Sequence, residues 1–97
     1  MISLHPLKTE PSRRLTREEV LEALRLSIIA ELDAINLYLQ LARALEDEGA
    51  KRVLRDIARE EKTHVGELLE LLKRLDHEQE EELRKGAGEV AGLLGKQ

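Results

Sequence analysis

A chain of 97 residues holds one small domain, and 37% charged residues with 1% aromatics leave few large side chains for its core. Hydrophobic residues still make up 41%, mostly Leu, Ala, Ile and Val, which favours a helical bundle over a disordered chain. The lack of cysteine excludes disulfides, zinc fingers, thiolate iron sites and cysteine nucleophiles, and a net charge of −4, from 16 basic and 20 acidic residues, disfavours nucleic acid as a partner.

Residues 1–15 read as an extended arm, because Pro6 and Pro11 disrupt a helix there. The arm lacks the apolar centre of a signal peptide, and no apolar run approaches the ~20 residues of a membrane span. Thr16-Arg17-Glu18-Glu19 matches a capping box and predicts a helix from there to about Leu45. Glu46-Asp47-Glu48-Gly49 predicts a helix end and a tight connection, with Gly49 suited to positive φ. A second helix is expected from about Ala50 to Leu75. Asp76-His77-Glu78-Gln79 reads as a stop and a new cap, followed by a short third helix over about 78–85. Gly86, Gly88, Gly92 and Gly95 predict a flexible tail over 86–97, in which Val90, Leu93 and Leu94 offer apolar groups for a last docked turn. The helical domain is thus placed at 16–85. A short connection makes the two long helices an antiparallel hairpin, each roughly 40 Å long.

At heptad spacing the first helix gives Leu24, Ile28, Glu31, Ile35, Tyr38, Ala42 and Leu45. The second gives Ala50, Leu54, Ile57, Glu61, His64, Leu68, Leu71 and Leu75. Only Glu31 and Tyr38 interrupt the first seam with polar atoms, and only Glu61 and His64 interrupt the second. If the hairpin folds near position 47, Glu31 lies opposite the segment around 63, which Glu61 and His64 bracket. An isolated carboxylate in an apolar seam costs several kcal/mol by rough estimate unless it is protonated or paired. A bound cation removes that cost.

Glu61 and His64 form Glu-x-x-His, whose two side chains leave one helix face a turn apart. Carboxylate di-iron bundles use such a pair on two helices and a lone Glu on the other two. One hairpin supplies half of that set, and two related by a two-fold axis supply it all. Doubling Glu31, Glu61 and His64 places four carboxylates and two imidazoles around two metals. Mixed oxygen and imidazole ligation suits iron or manganese. Glu-x-x-His alone arises easily in a Glu-rich helix. The plainer alternative is a satisfied buried polar cluster, in which Glu–His pairing sets helix register.

Ala30-Glu31-Leu32-Asp33-Ala34-Ile35-Asn36-Leu37-Tyr38 and Arg59-Glu60-Glu61-Lys62-Thr63-His64 resemble the encapsulated ferritins, short ferritin-like proteins housed inside encapsulin shells. The resemblance spans about residues 18–83 and includes Asp76, after which relatives often carry proline where His77 stands here. The chain is also similar to the ferritin-like segment fused ahead of an encapsulin shell domain in some archaeal relatives. The resemblance implies a ferroxidase centre at a homodimer interface, with two iron ions per dimer. It matches Glu31, Glu61 and His64 to the ligands, with Glu61 bridging. It further implies a ring of dimers, commonly a decamer, and an encapsulin shell protein or fused shell domain as partner. The location implied is cytoplasmic, inside an encapsulin nanocompartment that stores the product. Some relatives carry acidic residues beside the first-helix ligand as a metal-uptake site; here Ala30 occupies one such place and Asp33 the other.

Tyr38 lies two turns beyond Glu31, about 10 Å along the axis. Its hydroxyl is a candidate hydrogen-bond partner for a ligand or a radical buffer, or it is a core residue satisfied elsewhere. Glu60 and Glu80-Glu81-Glu82 read as solvated faces, and His5 and His77 fall in arm and capping positions. The expectation is therefore all-α: an antiparallel hairpin plus a short C-terminal helix, dimerising into a ferritin-like four-helix bundle that oxidises Fe(II). The alternatives are a rubrerythrin-like di-iron peroxidase with an external electron donor, or a non-catalytic helical interaction module.

Overall fold

The structure, a computed structural model, describes residues 14–95, so the arm expected over 1–15 lies almost wholly outside them. Three helices follow in chain order: α1 (Arg17–Ala44), α2 (Glu48–Leu75) and α3 (His77–Leu94). There is no strand among the described residues.

Helix α1 begins at the capping box. The Thr16 hydroxyl accepts from the Glu19 N–H at 3.2 Å, and the Glu19 carboxylate accepts from the Thr16 N–H at 2.9 Å. Two donors at the helix start are thereby satisfied. The connection to α2 differs from expectation. Leu45 is extended, and the Asp47 carboxylate caps α2 by accepting from the Ala50 N–H at 2.8 Å. Gly49 lies inside the first turn of α2, and among the described residues only Gly95 has positive φ. An extended residue and an aspartate cap reverse the chain, so no left-handed glycine is needed.

Leu21, Ile35 and Ala42 of α1 and Ala58 and Leu72 of α2 are buried. Positions 21, 28, 35 and 42 share one seven-residue stripe, as do 58, 65 and 72, with Ile28 and Val65 half-buried. The deepest stripe of α2 is therefore one residue on from Ile57, His64 and Leu71. The expected α2 seam lies along the edge of the hairpin contact, and Leu71 and Leu75 there are exposed, as are Leu41 and Leu45 of α1. Burial of Leu21, Ile35 and Leu72 contributes about 1.5–3 kcal/mol each. That is a thin core, and covering the open apolar edge would add to it.

Asp76 is the one residue between α2 and α3, with extended backbone. Its N–H donates to the Leu72 carbonyl at 2.9 Å, ending α2, and its carboxylate accepts from the Gln79 N–H at 3.0 Å, starting α3. Helix α3 is 18 residues long and passes through Gly86, Gly88 and Gly92, so the tail expected from residue 86 is helical to Leu94. Each glycine costs about 1 kcal/mol relative to alanine, which weakens a helix without ending it. The Asp76 cap, acidic Glu78 and Glu80 in the first turn, and an Arg84–Glu80 pair at 2.8 Å act in the other direction. The molecule measures 49 × 46 × 18 Å, one helix layer deep and far too broad for a hairpin alone, so α3 projects away from it.

Candidate metal centre

The reversal at residues 45–47 brings Glu31 on α1 level with Glu61 and His64 on α2, as the register predicts. His64 Nδ1 stands 2.9 Å from Glu31 Oε2 and 3.6 Å from Glu61 Oε1. One ligand-type atom from each of the three lies within 4.8 Å of the other two, and no other such group of three or more occurs among the described residues. The side chains remain partly open, 23% exposed for Glu31, 17% for Glu61 and 47% for His64.

Charge at the cluster is unbalanced. Hydrogen bonding to Glu31, then partial burial and the neighbouring carboxylate charge, hold the Glu61 carboxyl above its ordinary range, while His64 pulls it down. Two carboxylates face one imidazole that is neutral unless protonated. A divalent cation held among them would relieve the repulsion between the two carboxylates. Two carboxylates and an imidazole fit Fe(II) or Mn(II), whose preference is for oxygen and nitrogen donors. Three donors are too few to fill an octahedral ion, and the open side of the cluster leaves room for more.

Tyr38 is half-buried on α1, and among the described residues no hydrogen bond joins it to the cluster. Glu60 points outward and is exposed, as the sequence suggests. Glu81 and Glu82 are exposed, Glu80 pairs with Arg84, and His77 is the exposed first residue of α3. Ala30 and Asp33 are both exposed beside Glu31. His5 lies outside the described residues. One polar residue with a structural role has no local signal at all. Arg25 of α1 donates to the Asp76 carboxylate at 2.7 Å, across 51 positions of sequence.

Residues 22–93 match the rubrerythrin family, and the chain belongs to it. Its particular relatives are encapsulated ferritins. The crystal structure of the encapsulated ferritin domain from Pyrococcus furiosus superposes with a TM-score of 0.85 at 53% identity, covering 96% of this chain and 95% of that one. The ferritin-like–encapsulin shell fusion protein of Pyrococcus furiosus is 54% identical over 95 residues, 98% of this chain but 28% of that protein. The encapsulin nanocompartment cargo protein EncC of Myxococcus xanthus is 40% identical over 79 residues, 81% of this chain and 61% of that protein. This chain thus spans under a third of the first protein's length and under two thirds of the second's. Among the described residues no helix is long and apolar enough to cross a membrane.

Proposed function

We propose that two copies of this chain pair through the face bearing Glu31, Glu61 and His64, and that the completed centre is a ferroxidase. The observation carrying the proposal is the convergence of three ligand-type atoms within 4.8 Å on an open, half-apolar helix face. A two-fold axis beside that face doubles the donors to four carboxylates and two imidazoles, enough for two Fe(II). Four negative charges then balance four positive ones. The exposed Leu41, Leu45, Leu71 and Leu75 supply apolar surface for the dimer to bury.

Fe(II) is the substrate. Oxidation of two Fe(II) is matched by two-electron reduction of one dioxygen, which takes up two protons to leave hydrogen peroxide. The chain's own residues prepare for this. Glu31 and Glu61 favour the more highly charged product, and the 2.9 Å between Glu31 Oε2 and His64 Nδ1 sets both near one point. Two paired helix hairpins leave no room for a mineral core among the described residues, so the product is passed on. The relatives described as nanocompartment cargo and shell fusion support delivery into an encapsulin shell. A ring of dimers such as a decamer, and a cytoplasmic location, complete the proposal.

The rubrerythrin family match also favours a second reading, reduction of peroxide at the same centre. With no cysteine in the chain, its electrons would come from a partner protein. Peroxide turnover with a supplied reductant, set against oxygen-driven Fe(III) formation, separates the two.

Glu31→Ala, Glu61→Ala and His64→Ala are each expected to slow Fe(III) formation by about 10- to 100-fold or more, the scale of losses at metal-site positions. Stopped-flow absorbance measures it, with circular dichroism to verify folding. A near-normal rate in one folded variant removes that residue from the site. Normal rates in all three, or failure of the purified protein to bind iron, would leave the non-catalytic interaction module as the reading.

A further inference from the structure

A one-residue junction between two helices leaves the angle between them open to adjustment unless something else holds it. Helix α3 follows on from α2, and among the described residues no Cα atom of α3 comes within 8 Å of one in α1. One α1 side chain nevertheless reaches the junction. Arg25 donates through Nη2 to Asp76 Oδ2 at 2.7 Å and through Nε to Gln79 Oε1 at 3.4 Å. We propose that the Arg25–Asp76–Gln79 cluster is a latch that sets the direction of α3, making α3 an arm on a one-residue hinge.

The chemistry of the junction supports a latch over a chance surface pair. Asp76 divides its two oxygens between two tasks: Oδ1 caps α3 through the Gln79 N–H, and Oδ2 receives Arg25. Its side chain is only 14% exposed, so the pair is shielded on one side from competing water. Asparagine puts an NH2 donor where one of these two oxygens stands, so either the cap or the guanidinium loses its acceptor at that place. Glutamate is too long for the cap. The guanidinium likewise uses its fork, one N–H on the hinge residue and another on the first turn beyond it. A lysine point charge cannot hold both with a fixed angle between them. The three bonds therefore tie α1, the end of α2 and the start of α3 at a single point. What the latch aims is an arm whose far end carries Val90 and Leu93, both well exposed.

The test uses the absence of cysteine, which lets spin labels be placed uniquely. Asn36→Cys on α1 and Glu89→Cys on α3 are exposed and outside both clusters. Doubly labelled chain is assembled with a large excess of unlabelled chain, so that only distances within one copy are read by pulsed electron paramagnetic resonance. The unmodified junction is expected to give one narrow distance distribution. Arg25→Ala, which keeps the cap, and Asp76→Asn, which keeps one acceptor oxygen, are each expected to broaden it about twofold or more. Arg84→Ala, which removes a pair internal to α3, is expected to leave the width unchanged. Helix content is checked by circular dichroism, and Asp76→Asn serves if Arg25→Ala fails to fold. A wild-type width in either folded variant overturns the latch and assigns the angle to α2–α3 packing alone. Broadening of equal size in Arg84→Ala overturns it as well.

Discussion

Two polar clusters of this chain differ in how fully their charges are matched. At the α2–α3 corner, one guanidinium meets one carboxylate, and each oxygen of Asp76 has a donor. In the hairpin face, two carboxylates meet one imidazole, and Glu61 is held above its ordinary pKa by its neighbour. The corner cluster is complete with the atoms of one chain. The face cluster carries surplus negative charge, open acceptor positions and an uncovered apolar rim. The first pattern is that of an architectural contact, and the second is what the proposed half-site for cations requires.

The comparison breaks most visibly if the two clusters respond alike to mutation. Glu31→Gln with Glu61→Gln keeps shape and hydrogen-bonding capacity while removing both charges. Iron oxidation is expected to fall by about 100-fold or more. The metal-free chain is expected to melt at a higher temperature than wild type, because like charges no longer oppose each other. Stopped-flow oxidation and thermal unfolding read the two arms. A destabilised double variant would mean that the carboxylates serve the fold, as at the corner.

Assembly gives the next effect. Without metal, pairing two copies sets four carboxylates at one level, and divalent ions that bind only the paired form favour it by mass action. Fe(II) under anaerobic conditions is therefore expected to shift monomer towards dimer and larger rings, as seen by native mass spectrometry or sedimentation. A distribution indifferent to metal would show that the apolar rim already dominates, and the electrostatic account of assembly would fail.

At the corner the expected effect is smaller and falls on stability. Asp76→Ala removes a helix cap and the partner of Arg25, for a loss of about 1–2 kcal/mol in chemical unfolding. Iron oxidation per chain should survive, since none of the three face residues touches Asp76. Loss of oxidation with stability intact would show that the corner, too, is part of the site.

These two clusters also differ in how legible they are in the sequence. Glu31, Glu61 and His64 were legible because each breaks an apolar periodicity, and a short connection fixes the height at which they meet. The capping box at Thr16 was legible because it is local. Arg25 was not, because nothing in its neighbourhood distinguishes it from other surface arginines, and its partner is 51 positions away. The α2 core was misplaced by one residue for a different reason. Ile57 and Leu71 lie beside Ala58 and Leu72, apolar residues occupy both stripes, and periodicity does not rank them. At the reversal, Gly49 was the familiar signal, yet Asp47 capping made positive φ unnecessary. In α3, glycine content predicted an early end, but a helix begun by a strong cap and acidic first turn runs on to Leu94.

The smallest expected effect tests whether charge alone explains the face cluster. Glu60 is next to Glu61 and carries the same charge, but one residue along a helix turns its side chain about 100°. It is exposed, and it is not among the three groups whose donor atoms converge. Glu60→Ala exchanges a good helix former for a slightly better one on a solvated face, so stability should change by no more than about 0.5 kcal/mol. The rate of Fe(III) formation should stay within about twofold, since exposed charges interact weakly across screened solvent. Thermal unfolding and stopped-flow absorbance, run beside Glu61→Ala, make the comparison direct. A tenfold loss in Glu60→Ala would mean that the acidity of the helix surface, acting on iron before it arrives, matters as much as the convergent ligands. The contrast between a closed corner and an open half-site would then no longer account for where the chemistry happens.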